Sequence, residues 1–276
     1  MPASFVKSQP AAGIAMEAQV EGTGSALVLL GGGTTGPAAL APHAAKLAGA
    51  HRVVRLLTIN IQYASEGRPL PNDYTVAFES RAMQGGLDAL GLTGSVDVFG
   101  LSYGGLIALD FALNHPERIR SLALAEPPAF WLLGEDEPVD ETSREMLAIL
   151  RGLGPRSEIS DEQVERYRRA LGHCPAGRSI RDDPRWPTWL KERDRLRGLA
   201  AVALHQDDRS RLRIFQRPVL ILTGTTTVSF HRRINDILAK HLPSTQRAEL
   251  PGGHAAVVTA MDLFLQIYSG FLSSRL

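Results

Sequence analysis

Residues 95 to 113 constrain the fold more tightly than any other part of the chain. Ser95-Val96-Asp97-Val98-Phe99 reads as a strand and runs directly into Gly100-Leu101-Ser102-Tyr103-Gly104. Residues 104–113 then read as a helix stopped before Pro116. Passing from strand to helix in so few residues forces a sharp bend at Ser102. The glycines two before and two after remove side chains that would crowd it. A G-x-S-x-G pattern means little by itself in a chain with 26 glycines. Its weight here comes from lying between an apolar strand and a helix.

The same alternation extends along the chain. Strands are expected at 26–30, 52–57, 119–125, 218–222 and 246–250, and helices at 37–47, 74–90, 230–241 and 257–272. Residues 14–21 are expected to add antiparallel strands at the front. The strand segments are nearly continuous apolar runs, the pattern of a mostly parallel sheet buried on both faces by helices, so the fold class is α/β. Charge interrupts this pattern. Residues 135–213 hold 16 acidic and 16 basic residues, more than half of all the charges in less than a third of the chain. Trp131, Trp186 and Trp189 lie in or beside that stretch. Mixed charge on amphipathic segments reads as a solvent-facing helical insert. Within it, helices are expected at 140–153 and 186–204. A third follows the capping-box pair Ser160 and Gln163, with Val164, Tyr167 and Leu171 on one face. These stripes are read as packing against the body of the protein.

Composition excludes several function classes. The chain has 276 residues, enough to bury a core without a metal or crosslink, and a formal net charge of +1. That balance supplies no electrostatic footprint for nucleic acid or anionic lipid, so neither a nucleic acid nor a membrane is expected as a partner. No apolar run approaches the ~18 residues of a spanning helix. Cys174 is the single cysteine, which rules out an intrachain disulfide and a Cys-rich zinc site. The first dozen residues have no apolar core of signal-peptide length, and a cytoplasmic location is the expectation.

With these motifs in place, the chain resembles the α/β-hydrolase superfamily. The resemblance rests on Gly100 to Gly104, on Asn114-His115-Pro116-Glu117-Arg118 before a strand, and on Pro251-Gly252-Gly253-His254 after the last strand. It implies an α/β-hydrolase core from 1–128 and 216–276, with 129–215 as a helical cap. It also implies Ser102 as nucleophile and His254 as the base that activates it, since a free hydroxyl is a poor nucleophile at neutral pH. Many relatives carry the orienting acid a few residues after the strand that ends at Gly224, where this chain has Thr225, Thr226 and Thr227. Glu126, in Ala125-Glu126-Pro127-Pro128, is the leading candidate for that acid. Asp207, Asp208 and the absence of any acid remain open.

The oxyanion hole is expected from backbone N–H groups: Tyr103, and one from Gly31-Gly32-Gly33-Thr34-Thr35-Gly36. Gly33 is the choice there, with Gly32 and Thr34 as alternatives. Gly31 stands where relatives often have a histidine. This run is not a P-loop, because no Gly-Lys-Ser or Gly-Lys-Thr follows, and no acidic residue on the next strand supports a dinucleotide site. Trp131 is a candidate for lining a substrate pocket, with packing inside the insert the favoured reading. His43, His51 and His231 lack partners at ligand spacing, so no metal and no cofactor are expected. The expected activity is hydrolysis of a small hydrophobic carboxylic ester through an acyl-enzyme. C–C bond or thioester hydrolysis and acyl transfer fit the same residues, and the threonine run leaves open a non-catalytic ligand-binding member. The expected partner is a small-molecule substrate, and a homodimer is compatible with the sequence.

Overall fold

A computed structural model describes residues 5–6, 14–134, 139–174 and 177–274. The first half of the chain runs β1 (Phe5–Val6), β2 (Glu17–Glu21), β3 (Ser25–Leu30), α1 (Ala41–Leu47), β4 (His51–Leu57), α2 (Ile59–Ser65), α3 (Val76–Ala89), β5 (Val96–Leu101), α4 (Tyr103–Asn114) and β6 (Ile119–Ala125). The insert follows with α5 (Glu141–Arg151), α6 (Asp161–Ala170), α7 (Trp186–Lys191), α8 (Ala200–Leu204) and α9 (Ser210–Ile214). The chain then returns through β7 (Val219–Gly224), α10 (Ser229–His241), β8 (Thr245–Leu250), α11 (Ala256–Thr259) and α12 (Met261–Ser273).

The eight strands form one sheet in the order β1-β2-β4-β3-β5-β6-β7-β8. β1 and β2 are antiparallel to their neighbours, and every pairing from β4 to β8 is parallel. The chain leaves β3 toward one edge and β5 lies on its other side. The turns after β3 and β5 therefore flank the point where the winding reverses, which is where open α/β sheets form their crevice. Alternation along each strand divides the core in two. Leu27, Leu29, Val53, Phe99, Leu220 and Leu222 pack with α1 and α12 on one face. Val28, Leu30, Val98, Leu124 and Ile221 pack with α3, α4 and α10 on the other.

Two glycines fix how closely these parts meet. A Cβ at Gly104 would lie 2.4 Å from the Gly31 carbonyl oxygen, so only glycine lets the start of α4 sit against the end of β3. At Gly31 a Cβ would lie 2.2 Å from the Gly36 carbonyl oxygen. This turn closes on itself too tightly to admit a side chain at Gly31.

The structure differs from the sequence reading in several places, among them the expected helix at 37–47, which is a 3₁₀ turn at Pro37–Leu40 followed by α1, and the unexpected α9. The expected last helix breaks at Ala260 into α11 and α12. The expected helix at 186–204 is α7, a 3₁₀ run at Arg193–Leu199 and α8. The 3₁₀ run presses on α2: a Cβ at Gly198 would be 2.4 Å from Asn60 Cβ, and the Arg195 carbonyl accepts a bond from Asn60 Nδ2 at 3.1 Å. The helix α2 itself was not expected. Its first N–H groups are satisfied from a distance, because Glu79 accepts from Ile59 N–H at 2.8 Å and from Asn60 N–H at 2.9 Å. Tyr74 Oη also donates to Glu79, at 2.6 Å. Burial pushes this carboxyl up to about 7 despite those three bonds.

Adding a methyl at Gly104 tests the close approach. Gly104→Ala should lower stability by ~3 kcal/mol or more, as overpacking against rigid backbone does. The check is the denaturant midpoint, with an unchanged midpoint contradicting the packing described.

Candidate active site

Parallel pairing puts the ends of the central strands level with one another. Leu101, the last residue of β5, is in register with Ala125, the last residue of β6. Both chains bend at the next residue, and the Ser102 N–H donates to the Ala125 carbonyl at 2.8 Å, tying the two bends together. Ser102 has φ 54° and Glu126 has φ 49°, and among the described residues they are the only non-glycine positions with positive φ. Such a conformation costs about 1–3 kcal/mol per residue and persists only where the surroundings enforce it. The same backbone turn that carries this strain aims both side chains off the end of the sheet.

His254 meets both of them. Its Nε2 lies 2.9 Å from Ser102 Oγ, and its Nδ1 lies 2.7 Å from Glu126 Oε2. It is carried by the Pro251-Gly252-Gly253 turn after β8, which comes close enough to β7 that a Cβ at Gly224 would be 2.5 Å from the Gly253 carbonyl oxygen. With Nδ1 donating to the carboxylate, Nε2 is left as an acceptor facing the serine hydroxyl. A neutral imidazole in that tautomer can take the serine proton.

Glu126 is held on all sides. Its Oε1 accepts the Gly224 N–H at 2.8 Å, and its Oε2 accepts the Thr227 hydroxyl at 2.9 Å beside His254. Burial is the largest influence on its ionisation and acts to raise the pKa. The His254 bond, the nearby His231 and His254 rings and the Gly224 N–H together outweigh it and hold the carboxyl at about 2. The threonine run that replaces the usual acid is thus joined to the acid that is present. The alternatives are engaged elsewhere: Asp207 binds Arg211 at 2.6 Å, and Asp208 accepts the Ser210 N–H at 2.8 Å.

His231 and Thr227 are the contributors that sequence reasoning did not find. The His231 ring stacks on His254 with centroids 4.3 Å apart and planes 8° from parallel. Burial, followed by the neighbouring His254, pushes its pKa down to about 3, so it is a neutral plate against the second imidazole. His43, His51 and His231 lack partners at ligand spacing along the chain, but in space His231 has neighbours that carry donor atoms. Donor atoms of Glu126, His231 and His254 lie within 4.8 Å of one another, as do those of Asp110, His205 and Asp207. In the first group both Glu126 oxygens and both His254 nitrogens are already hydrogen bonded. Spacing along the chain could not show either cluster, because each draws its members from separate elements.

Two cavities open at Ser102. One is a narrow space of about 20 Å³, lined by apolar groups that include Phe130, Met146, Leu150, Leu199, Val202 and Phe230. The other is a cleft of about 270 Å³ running between the Gly32–Thr35 turn, His254 and the insert residues Arg168, His173, Arg185 and Trp189. Trp131 is among the lining residues of neither. It packs on a cluster that spans the body and the insert, and meets His205 edge-on at 6.5 Å. In the turn after β3, the Thr35 and Gly36 N–H groups both bond the Gly32 carbonyl, at 3.2 and 3.0 Å. A Cβ at Gly33 would lie 3.0 Å from Tyr103 Cβ, so this turn and the first residue of α4 are in contact. Asn60 Nδ2 donates to the Gly33 carbonyl at 2.8 Å and fixes the orientation of the 33–34 peptide.

The Glu126 environment gives two expectations. Its pKa in the folded chain lies below the ordinary 4.5, so the group contributes stability that is complete above about pH 4.5 and lost as pH falls through about 2. The stability gap between the native chain and Glu126→Gln, measured by denaturant melts, should therefore shrink from pH 5 to pH 2. A gap that stays constant would contradict the assignment. Thr227→Val removes one bond to the carboxylate and should lower kcat roughly 5-fold, equivalent to ~1 kcal/mol, with KM little changed.

The comparisons with known proteins agree with this architecture. Residues 26–260 match the family model described as alpha/beta hydrolase fold. A Klebsiella pneumoniae protein named, provisionally, as the carbamate hydrolase RutD is 26% identical over 212 residues, covering 75% of this chain and 77% of that one. A pimeloyl-[acyl-carrier protein] methyl ester esterase from Neisseria meningitidis is 26% identical over 184 residues, covering 64% of this chain and 69% of the esterase. Among solved structures, a thermophilic esterase from Thermogutta terrifontis superposes with a TM-score of 0.76 at 21% identity, over 99% of both chains. No helix among the described residues is long and apolar enough to cross a membrane. With a match spanning nearly the whole sheet and the insert, the chain belongs to the alpha/beta hydrolase family.

Proposed function

We propose that this protein is a serine hydrolase that cleaves a small carboxylic ester through an acyl-enzyme. One observation carries the reading: the unbroken chain of hydrogen bonds from Glu126 to His254 at 2.7 Å and from His254 to Ser102 at 2.9 Å. In this reading Ser102 Oγ attacks the ester carbonyl while His254 Nε2 takes its proton, then returns it to the leaving alcohol. Water enters by the same route in reverse and releases the acid. Glu126 keeps the imidazole in the required tautomer and stabilises the imidazolium that forms between the two transfers. Tyr103 N–H, the first of a helix and without a partner among the described residues, and Gly33 N–H are the proposed oxyanion donors. The contact between the Gly33 turn and Tyr103 supports that pair. We read 129–215 as a cap over a core formed by 1–128 and 216–276.

The two cavities support a substrate with one small end. A void of about 20 Å³ beside the serine takes a group the size of a methyl, whereas the cleft of about 270 Å³ holds the larger part of the molecule. Short acyl chains are therefore favoured. The relatives named as esterases and as a carbamate hydrolase support acyl-transfer chemistry to water without selecting the bond.

A fluorophosphonate probe should label the protein stoichiometrically, and Ser102→Ala should abolish labelling. On p-nitrophenyl esters, acetate should be preferred over octanoate. Glu126→Gln should lower kcat by roughly 10³–10⁴-fold, the scale seen when a triad carboxylate is neutralised. Labelling that survives Ser102→Ala would overturn the reading.

A further inference from the structure

Helix α6 carries a charge that the proposed chemistry does not use. Arg168, in its last turn, is 5% exposed, and its Nε is buried without a hydrogen-bond partner. It lines the cleft that also contains Ser102 and His254. Around it the insert pairs its arginines with care. Arg169 and Arg181 share Glu165, Arg185 holds Asp183 at 2.7 Å, Arg193 holds Asp161 at 2.7 Å, and Arg195 holds Glu192 at 2.8 Å. The carboxylates of Glu165, Asp183, Asp161 and Glu192 are therefore already committed to other cations. Among the described residues Arg168 has no ion pair and no side-chain hydrogen bond.

A buried guanidinium does not escape its desolvation cost by losing a proton. Burial is the main influence lowering the Arg168 pKa; Arg185 and Arg195 add to it, while Tyr167 and the Glu192 carboxylate, itself held by Arg195, act the other way, and the group stays a cation. Aromatic rings compensate only in part. The guanidinium carbon lies 4.7 Å from the Trp189 ring centroid and 5.6 Å from that of Tyr167. Such contacts are worth about 0.5–2 kcal/mol, less than the several kcal/mol that burying an ion costs. They also hold the planar fork in one orientation. His173, which stacks on Trp189 at 5.6 Å, brings neither a counter-charge nor a competing cation, since burial and then Arg168 hold its pKa at about 3. What the cleft lacks is an anion.

We propose that Arg168 is a specificity-determining residue that binds a carboxylate on the substrate, so that the preferred esters carry a short acyl group at one end and a free carboxylate on the alcohol part. The proposal rests on the hydrolase reading for its chemistry and on Arg168 alone for its selectivity. The acyl group enters the narrow cavity beside Ser102. The alcohol part lies along the cleft toward the insert, and its planar carboxylate accepts two parallel N–H bonds from the guanidinium. A neutral ester of the same length leaves the cation unpaired and forfeits that interaction.

The test compares ω-acetoxyalkanoates of increasing length with the matching alkyl acetates, following acetate release and determining kcat and KM. The native protein should prefer the anionic member of at least one pair, chiefly through KM. In Arg168→Met the anionic-to-neutral ratio of kcat/KM should fall at least 30-fold, and Arg168→Lys should recover part of it. Fluorophosphonate labelling of both variants reports folding of the site independently of substrate charge. A second measurement uses Ser102→Ala and calorimetric binding of the best ω-acetoxyalkanoate, with and without Arg168→Met. Turnover with an anionic-to-neutral ratio indifferent to Arg168 overturns the carboxylate site and leaves the hydrolase reading intact. Arg168-dependent binding with no turnover of any ester supports the site and overturns the hydrolase reading.

Discussion

The site depends on one rung of the β-ladder. Leu101 and Ala125 are opposite each other at the ends of β5 and β6, and the bond from Ser102 N–H to the Ala125 carbonyl continues that register one step beyond the sheet. From that rung both strands turn through backbone conformations that residues with a Cβ seldom adopt, and so present a hydroxyl and a carboxylate to one imidazole. The strain is about 1–3 kcal/mol at each bend, small against the burial of the strands that enforce it. A slip of register by one residue would turn the side chains of either strand to the opposite face and separate these groups. Strand pairing in the core, far from solvent, thus sets distances of 2.7 and 2.9 Å at the surface of the sheet.

A second set of contacts holds the turn after β3 in place. Glu79 satisfies the start of α2, α2 carries Asn60, and Asn60 bonds both the Gly33 carbonyl and the Arg195 carbonyl of the insert. One amide side chain therefore joins the proposed oxyanion turn to the segment that roofs the cleft. The insert supplies most of the apolar groups beside Ser102 and also the buried cation that lines the cleft.

Much of this was legible in the sequence where a local rule was enough. The strand–Gly–x–Ser–x–Gly–helix succession pointed to Ser102, the family resemblance of the glycine-rich turn after the last strand pointed to His254, and the charge mosaic marked the insert. Ser160 and Gln163 form the capping box that their spacing predicts. Glu126 was reachable because it directly follows the strand next to that of Ser102, where the family resemblance allows an acid. The rest depends on contacts between distant segments. Ile59-Asn60-Ile61 has no helical period of its own, and it is helical because a carboxylate some 20 positions away accepts its N–H groups. Thr227 lies in the threonine run that suggested a missing acid, yet its hydroxyl braces that acid. His231 and Arg168 look, in sequence, like one more histidine on a helix and one arginine among many. Only the packing shows that one stacks on His254 and the other lacks a counter-ion.

The most direct test of the account is a crystal structure of the protein inactivated by a small alkyl phosphonate. The account predicts phosphorus on Ser102 Oγ and the phosphoryl oxygen within hydrogen-bond distance of the Tyr103 N–H and an N–H of the turn after β3. It also predicts that His254 stays bonded to Glu126, with both bends keeping positive φ. An adduct on another residue, or a Glu126 carboxylate turned away from His254, would contradict it.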